Sequence, residues 1–96
     1  MSEYRRVAVP LDTLLYAEAV GNYVKLHDTA GHSVLSKMTM THLLSLLPAD
    51  EFVRIHRSYV VARARIPSFT KSQVVLSKFN ITLPIGKRYA DVVSKL

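Results

Sequence analysis

The sequence predicts one small, elongated, mainly β domain of antiparallel sheets with a single short α-helix at about residues 39–47. The chain has 96 residues, of which 49% are hydrophobic, and this supplies one core and not two. The dominant hydrophobic period is two, which is typical of half-buried strands. No low-complexity linker and no repeat at solenoid periods divides the chain, so residues 1–96 are predicted to form a single domain.

The first half of the chain is predicted to be a meander of strands. An edge strand ends before Pro10, and Gly21 and Asn22 form a tight turn because both residues tolerate the left-handed conformation. A second turn covers residues 29–31. The strands predicted here are 5–9, 14–20, 23–28 and 33–37.

One segment of this half changes to helical spacing. Thr39 or Thr41 can cap a helix whose apolar positions recur every three or four residues, and Pro48 discourages its continuation. The apolar positions are Met40, Leu43, Leu44 and Leu47. Because the polar face carries no Lys or Arg, we expect this helix to cover the core rather than to contact a negatively charged partner.

The second half is predicted to return to strands. Residues 52–61 are expected to begin as a loop and to continue as a strand, and residues 78–80 turn the last pair of strands. Gly86 to Tyr89 interrupts the final strand, and residues 90–96 form a last helical turn. The other strands predicted here are 64–69, 73–77 and 80–85.

The positive charge lies mostly in this second half. The net charge is +6; residues 1–50 hold four Lys/Arg against five acids, and residues 51–96 hold nine against two. Between Phe52 and Ala90 there are eight basic residues and no acid. Such a surface attracts a polyanion, and nucleic acid is the partner it favours. The alternative is a solvated face that binds nothing.

The sequence disfavours several other classes of protein. Without cysteine there is no disulfide framework and no thiolate metal site. No apolar run is long enough for a bilayer, and the N-terminus lacks the apolar core of a signal peptide, so a soluble cytoplasmic protein without a membrane partner is expected. No nucleophile–base–acid set or Gly-rich phosphate loop is present, so we expect no enzyme, cofactor or small-molecule substrate.

The histidines that flank the turn at 29–31 are candidates for a pair of metal ligands. His27 and His32 would face each other across a hairpin, as two ligands of a metal do. With no carboxylate nearby except Asp28, and with no cysteine, no metal site is expected.

Three segments carry a family resemblance: Glu18 to Val24 (Glu-Ala-Val-Gly-Asn-Tyr-Val), Phe52 to Val61 (Phe-Val-Arg-Ile-His-Arg-Ser-Tyr-Val-Val) and Leu83 to Tyr89 (Leu-Pro-Ile-Gly-Lys-Arg-Tyr). In order and spacing they resemble the LytTR family, the DNA-binding domain of many bacterial response regulators. The resemblance runs from about residue 9 to the C-terminus, and the central segment is its most specific part. The chain departs from the family pattern at Ala62-Arg63, where an asparagine is common, and at Gly86, where a serine is frequent.

The resemblance implies an antiparallel β fold whose loops, rather than a recognition helix, enter the grooves of duplex DNA. It also implies transcription regulation in a two-component system, with dimeric binding to repeated promoter sites and bending of the DNA. Many family members carry a receiver domain before this one, so the chain is expected to be the C-terminal part of a longer regulator. The residues that match the groove-facing positions are Asn22, Arg57, Lys87 and Arg88.

Residue chemistry separates two kinds of DNA contact. Arginine matches guanine O6 and N7 and asparagine matches adenine N6 and N7, so Asn22, Arg57 and Arg88 are predicted to contact bases. Lysine and serine more often hold phosphates without reading sequence. The predicted phosphate contacts are Lys37, Ser58, Lys71 and Lys87.

Each assignment has an alternative. Asn22 after Gly21 can be a turn residue only, and Arg57 can stack on Tyr59 or pair with Glu51. For the whole domain the alternatives are a protein-interaction module that binds an acidic partner, and a β-type module for single strands or RNA. The second of these would use stacked aromatic residues, and only 8% of this chain is aromatic.

Other residues near the central segment are predicted to be structural. His56 supports its loop through an internal hydrogen bond, and Arg54 braces the fold through Asp50 or Glu51. Arg63 and Arg65 lie on a solvated strand face. The tyrosines predicted to lie in the core or at its rim are Tyr16, Tyr23, Tyr59 and Tyr89.

Overall fold

Two antiparallel sheets form the framework in a computed structural model that describes residues 10–66 and 68–95. The first sheet has five strands in the order β3-β2-β1-β5-β4, and the second has three in the order β6-β7-β8. The described residues extend over 43 × 26 × 23 Å. The prediction of an elongated, mainly antiparallel β fold is therefore confirmed. The strands are β1 (Leu14–Val20), β2 (Tyr23–Asp28), β3 (Ser33–Ser36), β4 (Phe52–His56), β5 (Tyr59–Ala62), β6 (Ser68–Phe69), β7 (Gln73–Leu76) and β8 (Ile81–Pro84).

The predicted meander is present as β1, β2 and β3. Val20 pairs with Tyr23 across the first turn, where Gly21 adopts a φ of +59°, and Gly31 adopts +90° in the second turn. Glycine carries no Cβ to clash in this region, which is why these two turns can be so short. The strand predicted at residues 5–9 lies outside the described residues.

Helix α1 (Met40–Leu46) covers one face of the five-stranded sheet. Of the two candidate caps, Thr39 is the one used, since its Oγ1 accepts a hydrogen bond from the backbone N–H of His42 at 3.0 Å. Met40 and Leu43 are buried in one core cluster with residues of β1, β2, β4 and β5. The prediction that this helix covers the core is confirmed.

The second sheet and a short helix, α2 (Ala90–Ser94), pack against the opposite face near β4 and β5. Val74, Leu76 and Val93 are almost fully buried there, together with Ile55 and Val61 of the first sheet. The last helical turn predicted from the sequence is therefore real. No helix within residues 10–66 and 68–95 is long and apolar enough to cross a membrane.

Two predictions about the second half were wrong. Residues 52–61 form a complete hairpin, β4 and β5 joined at Arg57-Ser58, rather than a loop that leads into one strand. Residues 63–65 form a 3-10 turn, in which the N–H of Ile66 donates to the carbonyl of Arg63, and only Ser68–Phe69 of the strand predicted at 64–69 pairs, with β7. The chain crosses from one sheet to the other at this point, so a continuous strand is not possible.

Arg63 and Arg65 accordingly do not lie on a strand face. The Nη2 group of Arg65 donates to the carbonyl of Asp12 at 2.9 Å, and Nη1 of Arg63 lies 3.4 Å from the carbonyl of Asp50. The last strand also begins later than predicted, at Ile81, because Asn80 adopts a φ of 59° in the preceding turn.

Candidate nucleic-acid interface

Four chain segments meet at one end of the five-stranded sheet, which we call the loop end. Lys37 follows β3 directly, and the β1–β2 turn holds Gly21-Asn22. The β4–β5 turn lies next to them, since the N–H of Ala19 donates to the carbonyl of Ser58 at 2.9 Å. Residues 86–88 complete the row, since the N–H of Gly86 donates to the carbonyl of Ile55, at the end of β4, at 2.8 Å.

Six of the seven residues predicted to contact DNA lie at the loop end. Ser58 is half-buried, and the other five are exposed: Asn22, Lys37, Arg57, Lys87 and Arg88. The seventh, Lys71, lies in the β6–β7 turn and lines a different cleft with Ile85 and Asp91. The geometry brings the six together from four separate parts of the sequence, and whether each touches DNA stays a prediction.

The opposite end of the same sheet carries most of the acids. Leu14 at the start of β1 pairs with Asp28 at the end of β2, and Asp50 and Glu51 immediately precede β4. Asp12 precedes β1 and accepts from Arg65 through its carbonyl. The charge is therefore separated along the strand direction, with the acids about one strand length from the basic turns. This arrangement directs the loop end towards a polyanion.

Arg57, Lys87 and Arg88 line one open cleft of 440 Å³ together with His56 and Tyr89. Among the described residues, no acidic one lines it. The guanidinium of Arg57 has no side-chain partner within residues 10–66 and 68–95, so neither the stacking on Tyr59 nor the pair with Glu51 is found there. Three cations around a cleft without a carboxylate can hold a phosphate or the acceptor edge of a guanine.

The β4–β5 turn is held in place by side chains of β4. Nδ1 of His56 accepts a hydrogen bond from the N–H of Ser58 at 3.0 Å, which confirms the predicted supporting role of His56. The guanidinium of Arg54 donates to the carbonyls of His56 at 3.3 Å and Arg57 at 2.6 Å. Arg54 is thus a brace, as predicted, but its partners are these two carbonyls and not the carboxylates of Asp50 or Glu51.

The β1–β2 turn leaves Asn22 free to act through its side chain. Gly21 takes the left-handed position, so Asn22 is not needed for the conformation of the turn. The side chain is exposed and has no hydrogen-bond partner among the described residues. It lines a shallow groove with Tyr23, Lys37 and Thr39. These observations weaken the interpretation of Asn22 as a turn residue only.

A polar cluster of Tyr16, Glu18 and His27 lies on the sheet face where the sequence offers a histidine pair. His27 stacks on Tyr16, with ring centroids 4.2 Å apart, and its Nε2 lies 3.2 Å from Oε1 of Glu18. The cross-strand partner of His27 is Ser33 rather than His32. Among the described residues, no three His, Asp or Glu side chains come together as a metal site would require. Sequence reasoning missed Glu18, whose side chain reaches His27 diagonally across β1 and β2, because the strand register pairs Tyr16 with His27 and Glu18 with Lys25.

Three of the four tyrosines lie in the core or at its rim, as predicted, but the prediction was wrong for Tyr23, which is exposed. Tyr16 is 9% exposed, Tyr59 and Tyr89 are half-buried, and Tyr23 is 44% exposed. Burial raises the pKa of Tyr16 and of Tyr59 above 10.0, and the carboxylate of Glu18 contributes to both shifts. Both phenols are therefore neutral at physiological pH.

Comparison with known proteins gives consistent matches. The family model described as LytTr DNA-binding domain matches residues 4–96. The CO-responsive transcriptional regulator RcoM of Rhodospirillum rubrum is 38% identical over 60 residues, 62% of this chain and 25% of that protein. The sensory transduction protein LytT of Bacillus subtilis is 29% identical over 94 residues, 94% of this chain and 39% of that protein. The chain thus spans well under half the length of these curated relatives.

A solved structure supports the fold. It is the LytTr DNA-binding domain of a Bacillus cereus protein described as a methyl-accepting/DNA response regulator. The TM-score is 0.78 at 23% identity, covering 93% of this chain and 84% of the other.

Proposed function

The chain belongs to the LytTr DNA-binding domain family, so its function is DNA binding in transcription regulation, and we propose that it binds duplex DNA sequence-specifically through the loop end. The observation that carries this proposal is the convergence of four segments on one end of the sheet, where Asn22, Arg57 and Arg88 are exposed next to lysines.

The spacing of the strands supports entry of turns into a groove. Neighbouring strands lie about 4.8 Å apart, so the β1–β2 and β4–β5 turns, two strand spacings apart in the sheet order, are separated by about 10 Å. The major groove of B-DNA is about 12 Å wide. Asn22 and Arg57 can therefore meet bases in one groove, while Lys37, on the outer strand, reaches the backbone beside it.

The proposed roles follow the chemistry of each side chain. Asn22, Arg57 and Arg88 contact bases, because amide and guanidinium groups form paired hydrogen bonds with base edges. The proposed phosphate contacts are Lys37, Ser58, Lys71 and Lys87. Lys71 lies off the row, in the β6–β7 turn, and bending of the duplex towards it is part of the proposal.

The setting of this activity is proposed from the family and from the lengths of the relatives. The domain binds as a dimer at repeated promoter sites and serves as the DNA-binding part of a longer bacterial regulator that acts in the cytoplasm. Both curated relatives are much longer than this chain.

Selection from a random duplex pool tests the proposal. Enriched duplexes should share a sequence that occurs twice, and one or two bound copies per site can be counted by sedimentation. The logarithm of the binding constant should fall linearly with the logarithm of salt concentration, with a slope of about −0.9 for each phosphate neutralised, or about −2.7 for the three lysines of one copy.

Two results would contradict the proposal. If no sequence is enriched, or if a scrambled duplex competes as well as the selected one, binding is not sequence-specific. If single-stranded oligomers of equal length or an acidic polymer of equal charge density compete better than the duplex, the alternative modules described above are correct instead.

A further inference from the structure

Arg54 contacts both of the segments that carry the proposed base-contacting arginines. From β4, its Nε donates to the carbonyl of His56 and its Nη2 to the carbonyl of Arg57. These two carbonyls belong to the bend of the β4–β5 turn. One planar guanidinium therefore determines the direction in which the backbone presents the side chain of Arg57.

The same guanidinium also lies over the ring of Tyr89, with Cζ 5.7 Å from the ring centroid. Tyr89 directly follows Lys87 and Arg88, and its N–H donates to the carbonyl of Gly86 at 2.9 Å. A cation over an aromatic face is attracted by the ring quadrupole. Arg54 thus links the β4–β5 turn to the 87–89 segment, a contact between two parts of the chain more than 30 residues apart.

Gly86 packs closely against the rings of Tyr89 and His56. A Cβ at residue 86 would lie 3.1 Å from Cδ2 of Tyr89 and 3.5 Å from Cδ2 of His56. The first distance is tighter than ordinary van der Waals contact, so a larger residue would displace the ring of Tyr89. We refer to Arg54, His56, Gly86 and Tyr89 together as the turn clasp.

We propose that Arg54 is a positioning residue for sequence discrimination: through the turn clasp it holds Arg57 and Arg88 in one fixed relative position, without itself touching DNA. This inference rests on the proposed function. Paired hydrogen bonds to a base demand accurate placement of the guanidinium, whereas attraction to phosphates does not. Loosening the turn clasp should therefore reduce discrimination and spare non-specific affinity.

The test uses Arg54→Lys in the full 96-residue chain. Lysine keeps the positive charge but cannot donate two hydrogen bonds in the fixed geometry of a guanidinium. The quantity to measure is the preference ratio, which is the dissociation constant for scrambled duplex divided by that for selected duplex. We expect the ratio to fall about tenfold, the change that follows from loss of one charged hydrogen bond. Affinity for scrambled duplex and the salt slope should stay unchanged.

Arg63→Lys is the matched control. Arg63 also lies near a backbone carbonyl, that of Asp50, but at the opposite end of the sheet. The Arg63→Lys variant should have the same preference ratio as the unaltered protein.

A double substitution separates a positioning role from an independent contact. If Arg54 acts through Arg57, the fold-loss in preference ratio of the double variant should be smaller than the product of the fold-losses of Arg54→Lys and Arg57→Ala measured separately. Fully multiplicative losses would mean that Arg54 acts independently of Arg57, and would overturn the proposal. An unchanged preference ratio in Arg54→Lys would overturn it too.

Tyr89→Leu keeps the test decisive if Arg54→Lys fails to fold. It removes the ring and leaves the bonds of Arg54 to the β4–β5 turn, so the preference ratio should fall severalfold while scrambled duplex is still bound. Full discrimination in Tyr89→Leu would refute a coupling through the turn clasp. If the unaltered protein itself shows no preference for any duplex, the proposed function fails. If the unaltered protein and both variants keep the same preference, only the positioning role of Arg54 fails.

Discussion

Replacing Arg57 with alanine should impair base discrimination and leave the fold intact. The side chain is exposed and has no side-chain partner among the described residues, while the turn is held by backbone groups and by Arg54 and His56. Surface changes of this kind alter the free energy of unfolding by less than about 0.5 kcal/mol. The urea unfolding midpoint of Arg57→Ala should therefore match that of the unaltered protein.

The effect on DNA binding should be much larger. A guanidinium paired with guanine O6 and N7 discriminates against other bases by about 1–3 kcal/mol, which corresponds to about 5- to 150-fold in the dissociation constant. In the part of the chain that the structure describes, no carboxylate lines the cleft around Arg57 and competes for its guanidinium, so the upper part of this range applies. The affinity for scrambled duplex should fall only by the small amount due to one lost charge.

Fluorescence anisotropy with the selected duplex, and with duplexes changed at one base pair, measures both quantities. Arg57→Ala should lose preference at one base pair and keep it at the others. Lys78→Ala is the control, because Lys78 is an exposed lysine in the turn between β7 and β8, at the end of the second sheet away from residue 85. Equal losses on selected and scrambled duplex for Arg57→Ala would refute the assignment of Arg57 to a base.

Three further predictions concern the fold. Leu76→Ala should lower the free energy of unfolding in urea by about 2–5 kcal/mol, since Leu76 is fully buried between the two sheets; a loss under 1 kcal/mol would contradict that packing. Thr39→Ala should cost about 1 kcal/mol in the same assay, because the cap to His42 is lost, and Thr39→Ser should restore most of it. The pKa of Asp28 lies below 3.8, chiefly because the backbone N–H of His32 donates to its carboxylate. The stability that this carboxylate contributes is fully present above the pKa that Asp28 has in the unfolded chain, and it is lost as the pH falls through the lower pKa of Asp28 in the folded protein. Asp28→Asn should therefore flatten the acid side of the curve of unfolding free energy against pH.

The strands that could be predicted from sequence are those bounded by local signals. Gly21 and Gly31 mark two turns of the meander, and Thr39 marks the start of α1, because turn and cap chemistry depend on neighbouring residues. The hairpin within residues 52–61 was missed because its turn, Arg57-Ser58, has no glycine, proline or asparagine. That turn is closed instead by side chains, which a pattern of apolar residues does not reveal.

The candidate site shows the same division. Motif and residue chemistry selected Asn22, Arg57 and Arg88, and the structure places all three at the loop end. The partners of Arg54 could not be predicted, because the carboxylates just before it in sequence compete for it with two carbonyls just after it and with the ring of Tyr89, which only the fold brings close. Lys71 belongs to the basic half of the sequence but not to the loop end, since its turn lies on the second sheet.

By itself, the sequence determined the fold class, the covering helix α1 and the preference for a polyanion, because hydrophobic periodicity and net charge do not depend on the conformation of the chain. It assigned the basic character to the second half of the chain. The tertiary structure decided otherwise: Arg63 and Arg65 lie among the acids at the far end, while Lys37 and Asn22 from the first half join the loop end. The physical reason is the antiparallel pairing of β1, β2, β4 and β5, which brings alternate turns to opposite ends of one sheet and so sorts charge by the end of the sheet rather than by position in the sequence.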